Sequence, residues 1–151
     1  MVTDSIEREI LVEAPVEVVW AVITEPAHVA RWFSHAAEID LRPGGDMRLI
    51  WHDGGAFPGR VERVEPPHTF AFRWVQRGGE SPREGNSTLV VFNLTAEGAY
   101  TRLRVTESGF AQLAWSESER AEHQGDNVEG WARELEELRA YATGVASASL
   151  R

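Results

Sequence analysis

The sequence has 151 residues and no cysteine, so it is long enough for one domain with a core and cannot form disulfides or thiolate metal sites. Its net charge of −9 would repel a phosphate backbone, and no cluster of arginines with interleaved aromatics offsets that charge, which argues against nucleic-acid binding. No apolar run is long enough to span a membrane and the N-terminus lacks the pattern of a signal peptide, so we expect a soluble cytoplasmic protein without a membrane partner.

The first part of the chain predicts one strand and two short helices. Residues 6–13 alternate between apolar and mostly acidic side chains, which is typical of a half-buried strand. Pro15 suits the first turn of a helix, in which apolar residues recur at helical spacing until Pro26 interrupts it. A second short helix is predicted over residues 28–33.

From Glu38 onwards the apolar period falls to two and glycine and proline turns separate the segments, which predicts a meander of antiparallel strands. The predicted strands are residues 37–42, 46–52, 59–65, 69–76, 87–95 and 100–108. Strand alternation places Leu103, Val105 and Glu107 on one buried face. One acidic side chain is therefore expected to point inwards among apolar neighbours.

A long C-terminal helix is predicted to begin at a capping box formed by Ser116 and Glu119 and to end near Gly144. Its apolar stripe consists of Val128, Trp131, Leu135, Leu138 and Ala142. A second capping pattern at residues 126–129 leaves open a break near Gly125, but we expect one continuous helix. Residues 145–151 are small and polar and are expected to fray.

Four stretches of the sequence resemble a known family. They are residues 14–20 (APVEVVW), 31–33 (RWF), 42–48 (RPGGDMR) and 101–110 (TRLRVTESGF), the last followed by Gly130-Trp131 and by residues 135–138 (LEEL). In this order they resemble the SRPBCC proteins of the START-like superfamily, and among these they are similar to the C-terminal domain of the activator of heat-shock protein 90 ATPase. Each stretch is weak alone, but together they cover nearly the whole chain.

The resemblance implies an α+β helix-grip fold of the START-like, birch-pollen-allergen-like kind. In that fold a curved antiparallel sheet of about seven strands surrounds a long C-terminal helix, and two short helices follow the first strand. The resemblance also implies a single domain over residues 1–144, with an apolar cavity between the sheet and the long helix. It does not select a function, because ligand carriers, cyclases, hydrolases and chaperone partners share this scaffold.

Large aromatic side chains are the first candidates for a ligand site, because six tryptophans are unusual in a chain of this length and apolar ligands need concave aromatic walls. Core packing is nevertheless the commoner role for any single ring. Asn127 lies one helical turn before Trp131 and could direct a polar group into the cavity or cap the helix. The predicted ligand-binding residues are Trp32, Phe33, Met47, Trp51, Trp74, Phe92, Glu107, Trp115, Asn127, Trp131 and Leu135.

Glu107 is the one candidate for chemistry. A carboxyl group buried at the end of its strand could act as a general acid or base. Two simpler roles are commoner, namely capping a loop or pairing with an arginine. The catalytic residues therefore stay unknown, with Glu107 as the candidate.

The sequence predicts no metal and no cofactor. Its histidines, which are His28, His35, His52, His68 and His123, lack the spacing of a zinc motif. His35 and His52 fall where they could rim a pocket, although single surface histidines are more common. The glycine pairs do not lie between a strand and a helix as phosphate-binding loops do, and residues 76–87 are interpreted as a hairpin loop at the cavity mouth or a solvated tip.

The leading functional hypothesis is the binding of a hydrophobic or amphipathic small molecule between the sheet and the long helix, with Glu107 or Asn127 orienting its polar end. One alternative is an enzyme of the polyketide-cyclase or hydrolase type that uses Glu107 as an acid or base. Another is a chaperone co-factor, although the activators that the sequence resembles carry a separate docking domain ahead of this one, whereas this chain starts at its first strand. Unpaired edge strands and spare tryptophans leave a homodimer open.

Overall fold

The structure, a computed structural model, describes residues 4–52, 54–76 and 80–149. The described residues form seven strands, three α-helices and one turn of 3-10 helix. In chain order these are β1 (Ser5–Val12), α1 (Val16–Thr24), α2 (Pro26–Trp32), β2 (Ala36–Ile39), β3 (Asp46–Trp51), β4 (Gly55–Glu65), β5 (Thr69–Val75), β6 (Ser87–Glu97), β7 (Tyr100–Ser108), the 3-10 turn (Phe110–Gln112) and α3 (Glu117–Ser149).

The strands form one antiparallel sheet in the order β1-β7-β6-β5-β4-β3-β2, so β1 and β2 are its edges. The predicted fold class is confirmed, including the two short helices after β1 and the long last helix. Strand β4 begins earlier than predicted, at Gly55, and its pairing with β3 includes Pro58 opposite Arg48 and Gly59 opposite Met47.

Helix α3 begins with the predicted capping box. The backbone N–H of Glu119 donates to Ser116 Oγ at 3.2 Å, and the backbone N–H of Ser116 donates to Glu119 Oε1 at 3.2 Å. The helix is continuous through Gly125, as expected. The helix extends beyond its predicted end near Gly144, as far as Ser149, and Ala146 in this last part packs against the core. Residues 150 and 151 lie outside the described residues.

Gly125 offers a test of this continuity. A Cβ added there would meet no atom within 4 Å, so alanine can be accommodated without a clash. We expect Gly125→Ala to raise the free energy of unfolding by up to about 1 kcal/mol, because glycine is the poorer helix former. Urea denaturation followed by circular dichroism measures this change. An unchanged or lower stability would mean that the helix is broken at this position.

The core lies between the inner face of the sheet and the three helices. Trp131, Leu135, Leu138 and Ala142 of α3 are each at most 4% exposed and pack with inward residues of the strands. The predicted parity of β7 is confirmed, since Leu103, Val105 and Glu107 are all buried. No helix among the described residues is long and apolar enough to cross a membrane.

Candidate functional site

Glu107 is the fully buried acid at the centre of the site. Its side chain has no exposed surface, and it lies on β7 between Ile6 of β1 and Val90 of β6. Strand alternation that makes Leu103 and Val105 core residues also turns this carboxylate inwards. A buried charge is unfavourable unless its oxygens are fully hydrogen-bonded, so the surrounding donors decide whether the position is tolerated.

Four side chains donate to the Glu107 carboxylate, two to each oxygen. Oε1 accepts from Trp131 Nε1 at 2.9 Å and from Asn127 Nδ2 at 3.1 Å. Oε2 accepts from Thr88 Oγ1 at 2.6 Å and from Trp74 Nε1 at 3.0 Å. The donors come from β5, β6 and α3, so the carboxylate joins the long helix to the sheet.

The register of the strands and the period of the helix produce this arrangement. Thr88 pairs with Trp74 across β5 and β6, and it lies two residues from Val90, the partner of Glu107. Thr88 is therefore a diagonal neighbour of Glu107 on the same face. Asn127 and Trp131 are four residues apart and project from the same face of α3.

A second layer of hydrogen bonds surrounds these donors. Gln76 Nε2 donates to Thr88 Oγ1 at 2.9 Å and to the backbone carbonyl of Trp74 at 3.4 Å, and because a carbonyl only accepts, the amide orientation is fixed. Gln76 Oε1 then accepts from Asn127 Nδ2 at 3.2 Å and from His123 Nε2 at 2.6 Å.

No arginine or histidine within residues 4–52, 54–76 and 80–149 forms an ion pair with Glu107. The two simpler interpretations of the sequence, a loop cap and an arginine partner, thus do not describe its environment. The carboxylate is held by two indole N–H groups, one hydroxyl and one amide instead.

Beside this network a cleft opens between the sheet and α3. It consists of two adjoining pockets of about 220 and 200 Å³, which share Trp51, Trp74 and Asn127. The first is completed by Phe57, Val75, Gln76 and His123, and the second by Phe33, Asp126, Gly130, Trp131, Arg133 and Glu134. Its walls are mostly indole and phenyl rings, and its polar groups lie on α3 and at Gln76, directly after β5.

The interior itself is almost filled. The space between the sheet and helices α1 and α2, lined by Trp32, Met47 and Phe92 among others, has a volume of only about 10 Å³. That is room for at most one water molecule. Phe33 lines both this space and the cleft, so its ring separates the two.

Three charged side chains lie in the second pocket, and two of them are acidic. Arg133 Nε lies 3.5 Å from Glu134 Oε1. The Arg133 side chain is 69% exposed, whereas that of Glu134 is only 19% exposed. Burial raises the pKa of the Glu134 carboxyl, nearby Glu137 raises it further, and Arg133 only partly opposes this. The cleft is therefore a partly desolvated, acidic environment.

The predicted site residues fall into three groups. Trp51, Trp74, Asn127, Trp131 and Phe33 line the cleft. Trp32, Met47, Phe92 and Leu135 are buried in the core, the first three of them around the filled interior space. Glu107 lies behind the cleft, and Trp115 packs edge-on against His123 with ring centroids 4.9 Å apart.

Sequence reasoning missed Gln76, Thr88, Phe57 and His123. Gln76 had been assigned to the loop over residues 76–87, yet it is buried and directly follows β5; residues 77–79 of that loop lie outside the described residues. A signal for His123 did exist. It lies four residues before Asn127 and eight before Trp131, which places the three on one face of a helix.

The other histidines lie away from Glu107. His35 and His52 are exposed and stack with ring centroids 4.2 Å apart, and the backbone N–H of His52 donates to His35 Nδ1 at 2.7 Å. His28 Nδ1 lies 2.6 Å from Tyr141 Oη and so connects α2 to α3. Within the described ranges no group of three or more histidine, aspartate or glutamate side chains is arranged to hold a metal ion.

A seven-stranded antiparallel sheet packed on a long C-terminal helix, with two short helices after the first strand, defines a START-like helix-grip protein of the SRPBCC superfamily. The chain belongs to the family described as activator of Hsp90 ATPase homolog 1-like proteins, whose sequence model matches residues 13–143. No curated protein matches the chain significantly.

Solved structures share the fold along nearly the whole chain. DynU16, from the dynemicin biosynthetic locus, has a TM-score of 0.74 at 29% identity, and the match covers 92% of this chain and 47% of DynU16. The chain thus spans about half the length of DynU16. CalU16 from Micromonospora echinospora has a TM-score of 0.68 at 26% identity, covering 92% of this chain and 76% of CalU16.

The Aha1 dimer from Colwellia psychrerythraea is similar with a TM-score of 0.73 at 20% identity, covering 91% of this chain and 94% of that one. At this identity the similarity shows the fold alone.

Proposed function

We propose that this protein binds a hydrophobic or amphipathic small molecule in the cleft between the sheet and α3. The observation that carries the proposal is the pair of adjoining pockets around Trp51, Trp74 and Asn127. Together they lie in the lower part of the roughly 300–1,000 Å³ usual for ligand sites. Aromatic walls with a few polar groups at one side suit a molecule with an apolar body and one polar end.

The proposed binding site is an open cleft and not a cavity enclosed between the sheet and the helices. An internal space of about 10 Å³ leaves no room for a ligand between the sheet and helices α1 and α2. The ligand would instead lie in the cleft, against the rings of Trp51 and Trp74 and the α3 residues Asn127 and Trp131. DynU16, at 29% identity, comes from a biosynthetic locus, which supports a small-molecule role for this kind of domain.

Glu107 is better suited to a structural role than to acid–base chemistry. Both of its oxygens already accept two hydrogen bonds, and its side chain is fully buried behind Asn127 and Trp131. A substrate in the cleft would meet these side chains before it could meet the carboxylate. The geometry therefore favours a binding protein over an enzyme that uses Glu107.

Two helical glycines give a sharp test of the cleft. Gly130 lines the second pocket, and a Cβ there would meet only the tip of Arg133, at 4.0 Å, whereas Gly125 lies on the exposed side of the same helix with nothing within 4 Å. We expect Gly130→Leu to fill the pocket and to weaken binding of the neutral fluorescent probe N-phenylnaphthylamine on the order of tenfold. Gly125→Leu should leave the affinity unchanged. Fluorescence titration measures both.

The outcomes of this titration separate the cleft from other sites. Equal affinities of the two variants would place the probe elsewhere on the protein and contradict the proposal. Absence of probe binding by the unmodified protein, together with native mass spectra free of any bound small molecule, would also contradict it.

Family membership supplies a second candidate, a chaperone co-factor. Stimulation of the ATPase of heat-shock protein 90 by the full chain would support it. The unpaired edges β1 and β2 are the surfaces through which a homodimer could form, and sedimentation velocity would detect one.

A further inference from the structure

The polar groups of the cleft are not evenly divided between donors and acceptors. The indole N–H groups of Trp74 and Trp131 both point away from a ligand, towards Glu107. Asn127 Nδ2 donates both its protons, one to Glu107 Oε1 and one to Gln76 Oε1. The buried carboxylate thus uses up donors that a ligand would otherwise meet.

What remains for a ligand at this end of the cleft is mainly acceptor surface. With both amide protons of Asn127 engaged, its Oδ1 is the atom left to face a ligand, and it has no partner among the described residues. Asp126 and Glu134, both acidic, line the same pocket. The faces of the tryptophan rings add further negative potential, because an aromatic face attracts cations.

The opposing groups are few. Among the described lining residues of the second pocket, Arg133 is the one cation, and it is mostly exposed and directed to Glu134. The indole N–H of Trp51 is a neutral donor without a described partner. Neither balances the two acidic residues, Asp126 and Glu134, that line the pocket.

We propose that the cleft selects molecules whose polar end is a protonated amine and whose body is apolar or aromatic. The inference rests on the proposed function, since it requires the ligand to occupy this cleft, and it adds the chemical class. An ammonium group can donate to Asn127 Oδ1, pair with Glu134 and lie over an indole face. A carboxylate or phosphate head group would meet like charges instead.

Three probes with the same apolar part test this selectivity at neutral pH. Phenylbutylamine, phenylbutanol and phenylbutanoate differ only in a cationic, neutral or anionic polar end. Binding is followed through the indole N–H NMR signals of the six tryptophans. We expect the amine to bind on the order of tenfold more tightly than the alcohol, and the carboxylate more weakly than either.

Two variants that each remove one negative charge test whether the preference for the amine arises in the cleft. Glu134→Gln removes one negative charge from the cleft, and Glu129→Gln removes one from an exposed position on the same helix. We expect the first to reduce the preference for the amine by up to about fivefold and the second to leave it unchanged. Equal effects of the two variants would mean that only net charge attracts the amine, which would overturn the inference.

The pH dependence adds an independent readout. The pKa of Glu134 is raised above its ordinary value of 4.5 by burial, with Arg133 and Glu137 beside it and Asp126 in the same pocket. A bound cation favours the ionised carboxylate, so affinity for the amine should be full above the raised pKa and fall as the pH drops through it. The alcohol, which carries no charge, should show no such fall.

The outcomes distinguish this inference from the proposed function. If N-phenylnaphthylamine binds in the cleft but the three probes bind equally, or the carboxylate binds best, the amine selectivity is wrong and the binding function stands. If neither N-phenylnaphthylamine nor any of the three probes binds, the proposed function fails and the inference fails with it.

Discussion

Replacement of Glu107 by glutamine is expected to lower the free energy of unfolding by about 2–4 kcal/mol, although the two side chains have the same shape. Each carboxylate oxygen accepts one indole N–H, that of Trp131 at Oε1 and that of Trp74 at Oε2. The new amide NH₂ must replace one of these oxygens. In either orientation it then faces an indole N–H, which can only donate.

Alanine at the same position should cost more. Glu107→Ala would remove the acceptor of four donors, of which only Asn127 keeps a second acceptor, at Gln76, and it would create a void behind the cleft, so we expect a loss of about 4 kcal/mol or more. Urea denaturation at constant temperature measures both variants. Glu129→Gln, on the exposed face of α3, is the control and should change stability by less than about 0.5 kcal/mol.

This experiment also distinguishes a structural carboxylate from a catalytic one. Acidic groups kept for chemistry are often held at a cost to stability, so their neutralisation commonly leaves the protein equally or more stable. A more stable Glu107→Gln protein would therefore contradict the structural role and return the acid–base alternative. If Glu107→Gln lowers stability but leaves probe binding unchanged, Glu107 stabilises the fold around the cleft and takes no part in binding itself.

The sequence predicted the inward direction of Glu107 but not its partners. Direction follows from strand alternation, which needs only the neighbours Leu103 and Val105. The four donors come from three different elements, and their meeting depends on the register of β5 and β6 and on the rotation of α3. Neither quantity can be obtained from spacing along a single sequence.

For the same reason the sequence could not predict which of the candidate aromatic residues lie in the core and which line the cleft. Trp32 and Trp51 are alike as residue types, but Trp32 is 4% exposed and donates to the backbone carbonyl of Val22, whereas Trp51 lines the open cleft. Which rings are covered depends on how far α1 and α2 extend over the sheet. The long helix was easier to predict, because its stripe and its capping box are local patterns.

Phe33 is the residue through which the cleft and the filled interior could be joined. Its ring lies against Trp131 with centroids 5.5 Å apart, and it lines both the cleft and the internal space around Trp32 and Phe92. We expect Phe33→Ala to lower the free energy of unfolding by about 2–4 kcal/mol, somewhat less than for a fully buried phenylalanine. The same change should connect the two spaces into one deeper pocket.

The consequence for binding is opposite to that for stability. Because an apolar cavity left by a removed ring can stay open and accept an apolar molecule, the variant should bind N-phenylnaphthylamine about tenfold more tightly than the unmodified protein. Phe57→Ala is the matched control, since Phe57 lines only the first pocket of the cleft, beside Trp51 and Trp74. It removes a wall without opening the interior and should weaken binding. If Phe33→Ala also weakens binding, the neighbouring rings have collapsed into the vacated space, and the interior is then closed to ligands by packing around the whole aromatic cluster rather than by one side chain.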